Sequence, residues 1–198
     1  MQKMNKIKRL YYKLLQQYGT QQSWWPIIWN SDKTFEIAIG SILTQNTTFI
    51  SVIKSLNNLK ELNLITPQNI LNIDIDILKT AIKPSGFLNQ KANYIINFTN
   101  FYIKLNGKIP TRDELLKIKG VGEETADSIL LFGYNQPSMK VDAYTKRIFL
   151  QYGLINQNAK YKDIKALIEN NLTTNYKIYQ EFHALLVEHG KTLSKKIV

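Results

Sequence analysis

The chain has 198 residues, 44% of them hydrophobic, enough to bury a full core in one or two compact domains. Its 26 basic and 15 acidic residues give a net charge of +11, which favours a polyanionic partner, nucleic acid being the simplest, although a composition rich in Lys, Asn and Ile also acquires that sign through codon bias. With no cysteine and only His183 and His189, the sequence excludes disulfides, thiolate nucleophiles, Cys-ligated clusters and multi-histidine metal sites; it shows no signal peptide or membrane-length apolar run, so a cytoplasmic, nucleoid-associated protein is expected.

Helical periodicity runs nearly end to end, with no competing strand alternation, so the expected class is all-α. Ile7, Leu10, Tyr11, Leu14, Leu15 and Tyr18 predict an amphipathic first helix that Gly19 ends. The segment from Trp24 to Trp29 then holds all three tryptophans, and Pro26 disfavours a regular helix through Trp25. Aromatics in such an irregular stretch suit a stacking wall or the seal of a seam between domains. Phe35, Ala38, Ile39, Ile42 and Leu43 predict the next helix, and Phe49, Val52, Ile53 and Leu56 another. A longer one carries Ala92, Ile95, Ile96, Phe101, Tyr102 and Leu105.

Residues 114–142 say the most. Thr111 and Glu114 form a capping box ahead of Leu115, Leu116 and Ile118. Gly120 and Gly122 bracket Val121, allowing a sharp turn and a close backbone approach while Val121 packs downward. Ala126, Ile129, Leu130 and Gly133 then keep helical spacing, so the turn amides and the helix N-terminus make an anion site suited to a DNA phosphate; a plain helix-helix connection reads the same on the turn alone. Asp142 follows Val141 and is a favoured N-cap for a helix starting at Ala143. The remaining helices carry Ile148, Phe149 and Tyr152, then Ile164, Leu167 and Ile168, then Ile178, Tyr179, Phe182, Leu185 and Leu186.

Ile118, Gly120, Val121, Gly122, Thr125, Ala126, Val141 and Asp142 resemble the helix-hairpin-helix and following V-D pair of the endonuclease III superfamily of DNA glycosylases. The resemblance implies an endonuclease III-like two-domain helical fold: a barrel of residues 30–138 ending in the hairpin, and a second domain from residues 1–29 plus 139–198. It implies a duplex-DNA grip at Gly120, Val121, Gly122, Glu123 and Thr125, and a catalytic role for Asp142. Breaking an N-glycosidic bond builds positive charge on the sugar, which a carboxylate stabilises, or it takes the proton of an attacking water. Members that also cut the backbone place a Schiff-base lysine just before the T-A pair; Glu124 stands there, and a carboxylate forms no imine, so a monofunctional enzyme is expected.

Trp24-Trp25-Pro26, Leu43-Thr44-Gln45-Asn46-Thr47 with Phe49, and Pro84-Ser85-Gly86-Phe87 with Asn89-Gln90-Lys91-Ala92 look more narrowly like the 3-methyladenine DNA glycosylases of that superfamily. That likeness implies a base pocket of Trp24, Trp25, Pro26, Phe49 and Lys191, with the everted ring sandwiched by indoles. A purine methylated at N3 or N7 is cationic, and aromatic faces attract it by up to about 2 kcal/mol when desolvated. Gln45 and Phe87 match the wedge positions that fill the hole left in the duplex, the other readings being a helix-end polar residue and a core aromatic. The chain departs from endonuclease III in having His189-Gly190-Lys191 with no cysteine, so no iron–sulfur cluster is expected; the hairpin carbonyls could take a monovalent cation. The resemblance aligns the apolar Leu185 with a modified bracing lysine of the methylpurine enzymes. His183 and Glu188 read as structural. The expected protein is a monomer acting on duplex DNA with damaged, alkylated bases. The rivals are a clusterless glycosylase for a mismatched, deaminated or oxidised base, and a DNA-binding protein that has lost catalysis.

Overall fold

The structure, a computed structural model, describes residues 5–21 and 24–193, which form helices and no strand. Two compact units divide them: one joins the N-terminal residues through Trp25 to the chain from Asn135 onward, and the other is Pro26–Tyr134.

In the Pro26–Tyr134 unit, Asp32 accepts from the Phe35 amide at 3.0 Å and starts α2 (Lys33–Leu43), which is buried from Phe35 to its end and serves as the central helix. Thr48 caps α3 (Phe49–Glu61). Two short helices absent from the sequence reading follow, α4 (Pro67–Asn72) and α5 (Ile75–Ala81). They are too short to show periodicity, and their signals are caps: Thr66 before a first-turn proline, and Asp74. A 3-10 turn, Lys83–Ser85, leads to the long α6 (Leu88–Leu105), which packs on α2, α4 and α5. The hairpin helices are α7 (Arg112–Leu116), with the expected capping box, and α8 (Glu123–Ser128). The helix expected to continue through Gly133 changes to a π turn over Ile129–Gly133, its end fixed by Thr34 Oγ1 donating to the Gly133 carbonyl at 3.0 Å.

Trp29 belongs to this unit's core rather than to a stacking surface: it is buried, and its Nε1 donates to the Leu56 carbonyl at 2.9 Å. A fully buried carboxylate sets the chain there. Glu36 accepts from the amides of Ile28 (2.6 Å) and Trp29 (2.9 Å); burial pushes its carboxyl up, while the two amides and Lys60 pull it back.

In the other unit, Asn5 caps α1 (Lys6–Tyr18), whose buried stripe is Ile7, Leu10, Tyr11 and Leu14. It packs on α11 (Tyr176–Leu193), which also receives α9 (Ala143–Gln151); α10 (Tyr161–Glu169) completes the set. At Gly190 a Cβ would stand 2.2 Å from Tyr144 Cδ1, so glycine is what lets α11 pass this close to α9. Among the described residues, no helix is long and apolar enough to cross a membrane.

Candidate active site and nucleic-acid interface

The hairpin turn is built on backbone geometry. Gly120 has φ +102°, and a Cβ on it would fall 2.1 Å from Cγ of Tyr94 on α6, so both the dihedral and the space require glycine. Val121 is buried beneath the turn, its amide donating to the Ile118 carbonyl at 2.9 Å. Gly122 is the N-cap of α8 and supplies no side chain to the first-turn amides, while Glu123 and Glu124 place acid where the helix dipole favours it. Thr125 is buried.

An ion pair that the sequence reading missed locks α7 to α8. Arg112 Nε reaches Asp127 Oδ1 at 3.0 Å and its Nη2 reaches Oδ2 at 3.1 Å, with Glu123 Oε1 at 3.2 Å from the same Nη2. Asp127 is fully buried, and its hydrogen bond raises the guanidinium well above its ordinary range. Glu123 is therefore turned toward Arg112. Gln45, beyond the end of α2, donates through Nε2 to the Gly120 carbonyl (2.8 Å) and to Thr125 Oγ1 (3.1 Å), which ties it to the turn. Phe87 is no core residue: it is 59% exposed and left-handed, φ +47° and ψ +36°, a conformation costing a non-glycine residue roughly 1 to 3 kcal/mol.

Asp142 is reached by an extended segment that α10 clamps. Lys165 Nζ donates to Ser138 Oγ (2.8 Å) and the Met139 carbonyl (3.2 Å), Glu169 accepts from the Met139 amide (2.8 Å), and Tyr161 meets the Val141 amide (3.3 Å). The two readings of Asp142 coexist on its two oxygens. Oδ1 caps α9, accepting from the Thr145 amide (2.8 Å) and hydroxyl (3.0 Å); Oδ2 lies 3.8 Å from Nε2 of His183, and the side chain keeps 13% exposure. Burial works to raise the Asp142 carboxyl, but His183, Lys140 and the two Thr145 hydrogen bonds outweigh it and hold the group below its usual range. Burial pushes His183 down to about 4 against the pull of Asp142, so at neutral pH the imidazole is uncharged.

His183 leads on to the tryptophans. Its ring meets Trp24 edge-on at 5.3 Å between centroids, and Trp24 meets Trp25 at 6.3 Å and 72°. The two indoles thus form a corner. Trp25 is buried and Trp24 half-buried. Lys191 is exposed on α11, Nζ bonded to Glu188 Oε1 at 2.5 Å. Pro26 and Phe49 lie in the other unit: Pro26 is exposed, and Phe49, half-buried at the start of α3, leans on that unit's core. Leu185 is fully buried.

The donor set does not fit an iron–sulfur cluster. The chain holds no cysteine, and no group of three His, Asp or Glu suited to a metal occurs among the described residues.

Residues 39–173 match the family model of the HhH-GPD superfamily base excision DNA repair proteins. A Methanocaldococcus jannaschii protein named "Putative DNA repair glycosylase" is 44% identical over 207 residues, covering 98% of this chain and 92% of that protein. The structure of the H. pylori 3-methyladenine DNA glycosylase bound to 1,N6-ethenoadenine superposes with a TM-score of 0.75 at 30% identity, covering 97% of this chain and 96% of that one. An endonuclease III trapped as a covalent intermediate with DNA shares the fold with a TM-score of 0.81 at 21% identity, covering 96% and 88%.

Proposed function

Because this chain belongs to the HhH-GPD superfamily of base excision DNA repair proteins, we propose that it is a monofunctional DNA glycosylase that excises alkylated purines, such as 3-methyladenine, from duplex DNA. The observation that carries this reading is the contact path Asp142–His183–Trp24–Trp25, an ionised carboxylate and an indole corner within one unit.

The roles follow from the chemistry. The turn amides around Gly120, Val121, Gly122, Glu123 and Thr125 take a DNA phosphate, and their carbonyls a monovalent cation if one binds. Gln45 and Phe87 fill the gap left by the everted nucleotide. The base lies on the face of Trp24, beside Trp25. An N3- or N7-methylated purine carries positive charge, so an indole face holds it by up to about 2 kcal/mol more than its neutral parent. Such a base already leaves readily, and no strong general acid is needed. Asp142 Oδ2 supplies negative charge to the developing oxocarbenium ion, while Oδ1 stays committed to the α9 cap. Glu124 cannot form an imine with the resulting abasic site.

The test is incubation of the monomeric full chain with randomly methylated duplex and chromatographic identification of each liberated base, with borohydride trapping in parallel. Release of methylated purines without a borohydride-trapped adduct is expected. Release only from deaminated, mismatched or oxidised duplex would replace the alkylated-purine reading, and no release from any of them would leave a DNA-binding protein.

A further inference from the structure

Lys91, on the first turn of α6, is 1% exposed, and its Nζ donates to two main-chain carbonyls, Leu43 and Ser85, each at 2.8 Å. Leu43 ends α2 and Ser85 ends the 3-10 turn, so both carbonyls are helix-end acceptors that attract a cation. Two residues past each stands one of the residues read above as a wedge: Gln45 after Leu43, Phe87 after Ser85. The coupling is tight at both ends. The Phe87 carbonyl accepts from the Lys91 amide at 3.0 Å and its ring centroid lies 6.0 Å from Nζ, while Gln45 runs on to the hairpin through Gly120 and Thr125.

Stability alone is a weak account of a charge in this place. Burial lowers the Lys91 ammonium to about 8, the mark of a cation held where solvation is poor, and a methionine would fill the same stem without that penalty. What a methionine could not do is join two chain segments more than forty residues apart, as the 48-residue separation of Lys91 from Leu43 requires. Phe87 also keeps its left-handed backbone only because its surroundings over-determine it, and Lys91 is among those surroundings through both its amide and its ammonium.

We propose that Lys91 is a positioning residue for DNA distortion, locking the Gln45 loop and the Phe87 turn at one separation so that both enter the duplex together. The proposal rests on the wedge reading of Gln45 and Phe87, and the experiment separates the two.

The readout is fluorescence of 2-aminopurine placed beside an abasic-site analogue in duplex DNA, which rises on unstacking, together with affinity for the same duplex undamaged. The full chain is compared with Gln45→Ala, Phe87→Ala and Lys91→Met. Loss of the signal in all three is expected, with unchanged affinity of Lys91→Met for undamaged duplex. If the wedge variants lose the signal and folded Lys91→Met keeps it, Lys91 has no positioning role. If the wedge variants keep it, the wedge reading itself falls and the proposal with it. Equal losses on damaged and undamaged duplex would make Lys91 merely structural and also overturn the proposal. Should Lys91→Met fail to fold, Lys91→Arg replaces it: its planar fork holds the carbonyls at another separation, and a full signal there overturns the claim. Because the chain has no cysteine, Lys91→Cys can be alkylated uniquely in the unfolded state and refolded. The aminoethyl form should restore the signal and the propyl form should not; equal signals would again defeat the proposal.

Discussion

At the hairpin, the fully buried Asp127 is met by a two-pronged guanidinium, whereas at Asp142 the facing ring is an uncharged imidazole 3.8 Å away and one oxygen is given over to capping a helix. The first arrangement neutralises charge where two helices must not move; the second keeps negative charge in a poorly solvated place where a reaction can use it. Matched charge gives a rigid grip, and incompletely matched charge gives a group with electrostatic work left to do.

The largest expected effect breaks the acid side alone. Asn is as good an N-cap as Asp, so Asp142→Asn should keep α9 and the fold while removing the charge. Single-turnover base release should fall on the order of a thousandfold, with binding to an abasic-site analogue retained. Undiminished release would exclude Asp142 as the catalytic group; lost binding would mean that the substitution damaged the unit rather than the chemistry.

Arg112→Met tests the other side. Leaving Asp127 buried without its bidentate partner should destabilise the protein by roughly 3 kcal/mol, at the lower end for a broken buried pair because Arg112 is itself partly exposed. Denaturant unfolding measures the loss, and duplex affinity should drop with it as α7 and α8 loosen. A change below about 0.5 kcal/mol, the range of ordinary surface substitutions, would show that the pair is not what holds the hairpin.

The division between what was and was not legible in the sequence follows the range of each interaction. The capping box, the Gly120 turn, the irregular stretch around Pro26 and the Asp142 cap are local, written within a few residues, and they read directly. Lys91, His183 and Arg112–Asp127 depend on partners brought near by folding, so residue type alone said little. A faint signal existed: Lys91 shares the buried spacing of Ile95 and Phe98, and His183 that of Tyr179 and Leu186, positions where a polar side chain needs a reason. Trp29 misled because Glu36, a residue type that usually faces water, is buried and draws the chain at Ile28 and Trp29 into the core. The π turn likewise hangs on Thr34, far away in sequence.

The smallest effect sharpens the comparison through pH. His183 moves from an ordinary 6.5 to about 4 in the folded chain, so across that window the unfolded chain binds a proton that the folded one refuses. Its contribution to stability is therefore complete above about 6.5, is lost as pH falls toward 4, and changes no further below that. Asp142, held below its usual range, adds its own loss only at still lower pH. Arg112 stays charged throughout, so the hairpin should not share the His183 slope. His183→Phe keeps the ring against Trp24 and removes the titration; denaturant midpoints measured across the window should flatten in that variant. An unaltered slope would mean that another group titrates, and that the imidazole beside Asp142 is not the neutral partner on which the contrast with Asp127 depends.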